Sequence, residues 1–458
     1  MRIARPRPRA GAATAGATAL VAAAVIATPL SSSAIAAPAH AVPQTKAVPA
    51  AAGHLLVSGV SSPLSIEQCR TKWKIACYSP IQYRQAYNLN PLYKSGITGK
   101  GRTIVIVDSY GSPTIQHDLD VYSRQFGLKS SKVQVKKWGH VPKFDPKNAD
   151  MTGWAGESTL DVEMAHAVAP DAKIVLVETA VAETEGVTGL PEMMSAEKSL
   201  IDHGVGDVIS QSFGATENTF PGFGKGDFSS IGKLRYAFKD AARHGVTVLA
   251  SSGDGGATDS TADGKGYYKK RVNSWPSSDP LVTSIGGTQL HLDDKGNRTA
   301  PESVYNDYGS GGGGQSHVFG RPAFQNGVKN LVGARRGTPD VSMAAAVNGG
   351  AWVYSSYDPT SVGWDVSGGT SEAGPLFSGV VALADQAAGH RVGNINKALY
   401  TLFRHRSSGV VDVNDGTNNS YQGVTGYTAV DGYDMATGVG TVDAARFVPA
   451  LARASRRG

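Results

Sequence analysis

The sequence is poor in cysteine and in long apolar runs, and each shortage excludes a class of protein. Its 458 residues include two cysteines, Cys69 and Cys77, which are separated by seven residues. Two such ligands without a nearby histidine pair do not complete a tetrahedral zinc site, but in an exported chain they could form one local disulfide. The longest apolar stretch, residues 17–30, is short and alanine-rich for a membrane span of about 20 residues.

A surplus of positive charge is also missing from most of the chain. The formal net charge is +6, but the first 36 residues contain four arginines and no acidic residue. Without them, 40 basic and 38 acidic residues remain, so the net charge of the rest is +2. Nucleic-acid-binding proteins carry a basic patch or stripe. We therefore expect no nucleic-acid partner.

The first 36 residues have the pattern of an export signal. Arginines come first, the apolar stretch follows, and Ala34-Ile35-Ala36 forms a small-x-small cleavage site. The alternative is an uncleaved membrane anchor. We predict a signal peptide over residues 1–36, a secreted, extracellular monomer, and no stable membrane insertion after cleavage. Residues 37–65 are rich in Ala, Pro, Ser and Val, so residues 37–78 are interpreted as a linker or short pro-segment, and residues 79–450 as one globular domain.

Within that domain, short apolar runs alternate with helical patterns. Such repeated units with buried strands predict an α/β fold, in which a doubly wound, mainly parallel central sheet has helices on both faces. Function in such sheets collects at the carboxyl ends of the strands. Asp108, residues 210–214 and residues 251–256 lie at three such ends. The predicted strands are residues 103–108, 173–178, 207–212 and 247–253, and the predicted helices are residues 157–168, 191–203 and 231–244.

Residues 367–375, SGGTSEAGP, contain the candidate nucleophile, Ser371. Glycines permit a tight turn and close approach of a substrate, and Pro375 suits the first turn of a helix. A helix beginning at Pro375 would direct free backbone N–H groups and its positive dipole end toward a developing oxyanion. A Gly-Thr-Ser sequence alone could be an ordinary loop, but one that opens a long apolar helix favours a nucleophile.

A serine hydroxyl needs a base, and the histidines do not supply an obvious one. Subtilisin-type peptidases share the Gly-Thr-Ser-x-x-x-Pro pattern and use a histidine in a His-Gly-Thr/Ser context. None of the eleven histidines here has that context. A neutral subtilisin that uses another histidine, such as His117 or His166, stays an alternative.

Two carboxylates offer a different base. Glu157 and Asp161 are four residues apart in a predicted helix, so they share one face. Two close carboxylates do not both ionise easily, and a proton shared between them could move to and from a serine hydroxyl. An isolated Glu-x-x-x-Asp is usually a solvated helix face. Here the helix is mostly apolar after Leu160 and runs into a buried strand, which favours a buried pair.

Together these motifs resemble the sedolisin family of serine-carboxyl peptidases, which has a subtilisin-like fold. The resemblance rests on the order of several segments along the chain: Glu157-x-x-Leu160-Asp161, residues 251–256 (SSGDGG), residues 276–288 (PSSDPLVTSIGGT), residues 311–316 (GGGGQS), residues 339–342 (PDVS) and Gly369-Thr370-Ser371 with Pro375. One departure is Glu372, an added charge beside Ser371.

The resemblance implies a role for each of four residues. Glu157 would be the general base, Asp161 its proton partner, Ser371 the nucleophile and Asp254 the oxyanion donor. Only a protonated Asp can donate a hydrogen bond, so the resemblance implies activity at acidic pH. The expected function is secreted endopeptidase activity on protein or peptide substrates through an acyl-enzyme on Ser371. The alternative is a catalytically silent secreted binding protein on the same scaffold.

The resemblance also implies one structural Ca²⁺ near the carboxyl terminus. The implied ligands are the carboxylates of Asp412 and Asp434 and the backbone carbonyls of Val413, Val430 and Gly432. Calcium prefers six or more oxygen ligands, which glycine-rich loops can supply. Without the resemblance, the same segments would be interpreted as Asp/Asn/Gly turns.

Overall fold

The fold is that of a computed structural model, which describes residues 60–405 and 407–456. The predicted signal peptide, residues 1–36, and most of the predicted linker lie outside the described residues. In the described part of the chain, no helix has the length and apolar character that crossing a membrane requires.

The helices are α1 (Ile66–Trp73), α2 (Pro80–Ala86), α3 (Asn90–Lys94), α4 (Ile115–Gln125), α5 (Ala149–Val168), α6 (Leu190–Asp202), α7 (Ser229–Leu234), α8 (Tyr236–His244), α9 (Lys329–Val332), α10 (Thr370–Ala388), α11 (Asn396–Phe403) and α12 (Ala444–Ser455). The strands are β1 (Cys77–Tyr78), β2 (Thr103–Ser109), β3 (Val133–Trp138), β4 (Lys173–Thr179), β5 (Val208–Gln211), β6 (Ala215–Thr216), β7 (Thr247–Ser251), β8 (Ser274–Trp275), β9 (Thr283–Gln289), β10 (Ser303–Val304), β11 (Gly314–Gly320), β12 (Arg335–Thr338), β13 (Val341–Ala344), β14 (Gly350–Ser355), β15 (Gly363–Ser367), β16 (Val410–Val411) and β17 (Thr441–Val442).

An eight-stranded sheet forms the centre, in the order β10-β9-β7-β5-β2-β4-β3 with β13 also paired to β9. All its pairs are parallel except β10 with β9. The predicted α/β fold with a mainly parallel sheet is therefore confirmed. Short apolar strands buried on both faces favour this arrangement, because helices cover both sides of a parallel sheet.

Alternation along β2 explains how helices come to cover both faces. Ile104 and Ile106 belong to the hydrophobic core that includes α5 and α10, whereas Val105 and Val107 belong to the core that includes α6 and α8. Successive side chains of a strand point to opposite faces. Asp108 has the same parity as Ile104 and Ile106, so it lies on the face that α5 and α10 cover.

Three predicted boundaries are wrong. The helix predicted from 157 begins at Ala149, and the helix predicted over 231–244 consists of α7 and α8. The helix predicted to begin at Pro375 begins at Thr370, so Pro375 lies inside α10. A backbone N–H at a helix start needs a partner from outside the helix, and Thr370 has a carboxylate from another loop.

Residues 60–78 pack on the domain that was predicted to begin at residue 79. Cys69 and Cys77 form a disulfide with a Cα–Cα distance of 6.1 Å, and both are buried together with Ile66. Strand β1 pairs in parallel with β14. The described end of the predicted linker is therefore part of the packed structure, because these apolar side chains have a core to enter.

Candidate active site

The predicted acid–base pair lies on α5, in the middle of the molecule. Asn148 caps the start of this helix, because its side chain accepts hydrogen bonds from the amides of Asp150 (3.0 Å) and Met151 (3.2 Å). Glu157 and Asp161 follow, one turn apart, and both side chains are fully buried. The prediction that the pair is buried is confirmed.

A third buried carboxyl group, Asp108, lies at the carboxyl end of β2 beside this pair. Burial raises the pKa of Asp161 well above its usual value, and the neighbouring Asp108 and Glu157 raise it further. Burial also raises the pKa of Asp108, with Glu157 as the next cause. Burial and the neighbouring carboxyls therefore favour the protonated forms of Asp108 and Asp161.

Sequence reasoning placed Asp108 at a strand end but gave it no role. The sequence did contain an indication that Asp108 could belong to a functional site, because it is a lone carboxylate directly after a continuous apolar strand. Only the parity of β2 and the position of α5 show that Asp108 faces Glu157 and Asp161.

The predicted nucleophile lies in the first turn of α10. Ser371 is fully buried, and among the described residues its hydroxyl oxygen has no hydrogen-bond partner. Gly369, before the helix, has φ +102°, and a Cβ added there would come within 2.8 Å of Asp254 Oδ2. A glycine is therefore required where the backbone passes Asp254.

Asp254, the predicted oxyanion donor, is fixed against this helix start. Its Oδ1 accepts a hydrogen bond from the backbone N–H of Thr370 (2.7 Å). The Thr370 hydroxyl oxygen accepts from the Gly253 N–H (3.1 Å), and the Ser251 hydroxyl donates to the Thr370 carbonyl (2.8 Å). The loop after β7 thus holds Asp254 next to the residue that precedes Ser371.

A serine connects the two helices of the site. Ser212, just after β5, donates a hydrogen bond to Asp161 Oδ1 (2.9 Å). A Cβ added to Gly374, one turn into α10, would lie 3.9 Å from the same Ser212 hydroxyl oxygen. The structure thus places Asp161 against Ser212, just after β5, and Asp254, after β7, against Thr370, which precedes Ser371 on α10.

Glu372, the residue after the nucleophile, is not a surface charge. It is fully buried, and burial raises the pKa of its carboxyl well above the usual value. Burial thus disfavours the ionised form of Glu372, and with it a negative charge beside Ser371.

The two histidines considered as alternative bases lie elsewhere. The His166 ring Nε2 forms a hydrogen bond with the Lys129 carbonyl (2.8 Å), and burial lowers the pKa of His166 to about 4. It follows Glu157 by nine residues on α5, a rise of about 13 Å. His117 packs against the ring of Tyr354. Neither forms a hydrogen bond with Ser371.

The predicted calcium ligands lie in neighbouring loops. Asp412 Oδ2 accepts the Gly432 N–H (2.9 Å), and Asp434 Oδ2 accepts the Val430 N–H (3.1 Å). The Val413 carbonyl accepts the Thr437 hydroxyl (3.4 Å). The set consists of oxygens only, which fits a hard cation such as Ca²⁺. The described residues contain no group of three or more His, Cys, Asp or Glu side chains that could hold a metal ion, so backbone carbonyls would have to complete the site.

The chain is similar in sequence to several known peptidases. Residues 149–423 match the model of the subtilase family. Kumamolisin from Bacillus sp. (strain MN-32) is 31% identical over 392 residues, which are 82% of this chain and 63% of the relative. Sedolisin from Pseudomonas sp. (strain 101) is 29% identical over 380 residues, which are 81% of this chain and 60% of the relative. The chain thus spans about three fifths of the length of these curated relatives.

A solved structure is also similar to this chain. It is Pseudomonas sedolisin, a serine-carboxyl proteinase in complex with two molecules of pseudo-iodotyrostatin. The TM-score is 0.69 and the sequence identity is 27%, and the match covers 82% of this chain and 97% of that one.

Proposed function

Since the chain belongs to the subtilase family, and its resemblance to sedolisins is confirmed, we propose that it is a serine-carboxyl endopeptidase. It would be secreted and would hydrolyse peptide bonds of proteins or peptides at acidic pH. The observation that carries the proposal is the buried group of Asp108, Glu157 and Asp161 beside the helix that presents Ser371.

The chemistry follows from these positions. Ser371 Oγ attacks the carbonyl carbon of the scissile bond, and Glu157 accepts the hydroxyl proton, with Asp161 sharing it. Asp254, when protonated, donates a hydrogen bond to the carbonyl oxygen as it becomes negative. When the intermediate collapses, the C–N bond breaks and the proton goes to the leaving amine. Water then attacks the acyl-enzyme by the same steps and releases Ser371.

Acidic pH suits this arrangement for two reasons. Asp254 can donate a hydrogen bond to an oxyanion only while it is protonated. Burial and mutual repulsion also raise the pKa of Asp108 and of Asp161, so each takes up a proton more readily than a free carboxyl does as the pH falls.

A pH–rate profile on an unfolded protein substrate tests the proposal. We expect activity to peak below about pH 5 and to fall by at least a factor of about 10⁴ in Ser371→Ala and in Glu157→Ala. Ser378→Ala is the matched control, because Ser378 is equally buried on α10 but donates to the Pro375 carbonyl (2.7 Å).

Three outcomes would contradict the proposal. Full activity in Glu157→Ala would rule out the carboxylate base, and a neutral optimum abolished by His117→Ala or His166→Ala would favour a subtilisin mechanism. A wild-type protein that binds peptides but cleaves none between pH 2 and 8 would be a silent binding relative.

We also propose one structural Ca²⁺ held by Asp412, Asp434 and the carbonyls of Val413, Val430 and Gly432. The support is that hydrogen bonds already join these loops and that all the ligands are oxygens. Such an ion would stabilise the carboxyl-terminal loops and would take no part in the reaction.

A further inference from the structure

Two tyrosines are exposed on the surface of the described structure. Eight large apolar or aromatic side chains of the described residues are exposed, and the only aromatic ones are Tyr308 (37%) and Tyr421 (59%). Exposed tyrosine is typical of binding surfaces, because it offers an apolar ring and a polar tip with few rotatable bonds. Both rings are therefore candidates for part of a binding surface.

The loop that carries Tyr308 is bonded directly to the oxyanion loop, residues 252–256. The Ser310 N–H donates to the Asp254 carbonyl (2.9 Å), and the Gly312 N–H donates to the Gly253 carbonyl (2.7 Å). Tyr308 thus lies two residues along the chain from Ser310, whose backbone is bonded to the backbone of Asp254.

The loop that carries Tyr421 meets the same oxyanion loop from another direction. The Ala257 N–H donates to the Asn418 carbonyl (3.1 Å), and a Cβ added to Gly256 would lie 3.0 Å from the Ser420 backbone. Tyr421 follows Ser420 directly along the chain.

The two tyrosines are also close to each other. Burial raises the pKa of Tyr421 to about 12, and Asp307 and Tyr308 contribute to that rise. Two exposed tyrosines therefore lie close together on loops that are both bonded to the segment carrying Asp254.

We propose that Tyr308 and Tyr421 form a substrate subsite that accepts a large apolar or aromatic side chain next to the scissile bond. The inference rests on the proposed peptidase function, since it places the subsite beside the oxyanion residue of that reaction. Ring faces of tyrosine favour apolar and aromatic groups over small or acidic ones. The two residues would set specificity and would take no part in proton transfer.

Paired peptides test the subsite. Each pair is identical except for Phe or Ala at one position within three residues of the cleaved bond. We expect one position at which wild type prefers Phe by about 10-fold in kcat/KM. The preference should fall below about 3-fold in Tyr308→Ala and in Tyr421→Ala, and Tyr421→Phe should retain it. Leu331→Ala removes a similarly exposed side chain (47%) on α9 and should change nothing.

Binding to Ser371→Ala separates this inference from the proposed function. If wild type cleaves no peptide, a Phe-over-Ala preference in Kd that Tyr421→Ala abolishes still supports the subsite. If wild type cleaves peptides and the double variant Tyr308→Ala/Tyr421→Ala keeps the same preference, the subsite is wrong while the peptidase stands. The absence of any preference in both cleavage and binding also overturns the subsite.

Discussion

At the scale of single residues, the site depends on where a side chain is missing as well as on the reactive groups. Gly369 lets the chain pass close to Asp254, whose Oδ2 would lie 2.8 Å from an added Cβ. Its positive φ is also unfavourable for any other residue. The distance between Asp254 and Ser371 is therefore set partly by a glycine.

We predict that Gly369→Ala lowers kcat/KM by about 10- to 100-fold, because a displacement near 1 Å in an active site has that effect. Steady-state kinetics on a peptide substrate and thermal unfolding of the same samples measure it. Gly389→Ala is the matched control: Gly389 also has positive φ (+79°), but no atom lies within 4 Å of an added Cβ. The Gly389→Ala variant should lose roughly 1–2 kcal/mol of unfolding free energy and keep the kcat of wild type. Equal kinetic losses in both variants would contradict the role given to Gly369.

At the scale of elements, one segment that resembles a family motif has a structural function. The Pro339–Ser342 segment resembles a family motif, yet Asp340 is part of an ion pair with Arg336 that is fully buried. Asp340 Oδ1 also accepts the Tyr400 hydroxyl (2.9 Å), and Oδ2 accepts the Ser284 N–H (2.8 Å). This segment therefore holds β9, β12 and α11 together, and its carboxylate serves structure.

The carboxyl-terminal loops carry a prediction at the same scale. A bound ion that the unfolded chain does not hold raises the melting temperature, so removal of Ca²⁺ with a chelator should lower the Tm of wild type by several degrees. Asp434→Ala removes an implied ligand, and its Tm should not respond to the chelator. Thermal unfolding with and without chelator measures both, and equal shifts in the two proteins would count against the site.

At the scale of the whole molecule, buried carboxyl groups are distributed through the domain far beyond the active site. Burial raises the pKa of Glu185, Glu197 and Asp385 to about 8, and that of Asp365 to about 6. Each value exceeds that of the unfolded chain, so the folded state keeps protons that the unfolded state loses as pH rises above about 4.5. Stability is thus fully present at acidic pH and declines up to about pH 8.

We therefore predict that the free energy of unfolding decreases as pH rises from about 5 to 8, as measured by denaturant titration. Glu197→Gln removes one of the groups that hold a proton only in the folded state. The plot of unfolding free energy against pH should therefore become shallower by up to about 1.4 kcal/mol per pH unit. Asp240→Asn is the control, because a hydrogen bond from Arg243 lowers the pKa of Asp240 to about 2. The stabilisation that ionised Asp240 contributes is lost only as pH falls, so Asp240→Asn should not change how the unfolding free energy depends on pH above pH 5. A stability maximum at pH 7 or above would contradict the prediction.

The sequence by itself determined the class of fold and offered Glu157, Asp161 and Ser371 as candidate site residues, because both follow from short-range patterns. Apolar runs identify buried strands, the Glu157–Asp161 spacing puts two carboxylates on one helix face, and the Gly-Thr-Ser segment identifies Ser371. The disulfide between Cys69 and Cys77 was an open possibility that short spacing allowed, and the structure contains it.

Only the tertiary structure decided the features that depend on distant segments meeting. The start of α10 at Thr370 requires Asp254, 116 residues away, to accept the amide hydrogen bond. The position of Asp108 beside Glu157 requires β2 to pack against α5, and the burial of Glu372 requires the core that surrounds α10. These contacts and the dielectric environment that they create come from packing, whereas a local pattern contains only the spacing of residues along one element.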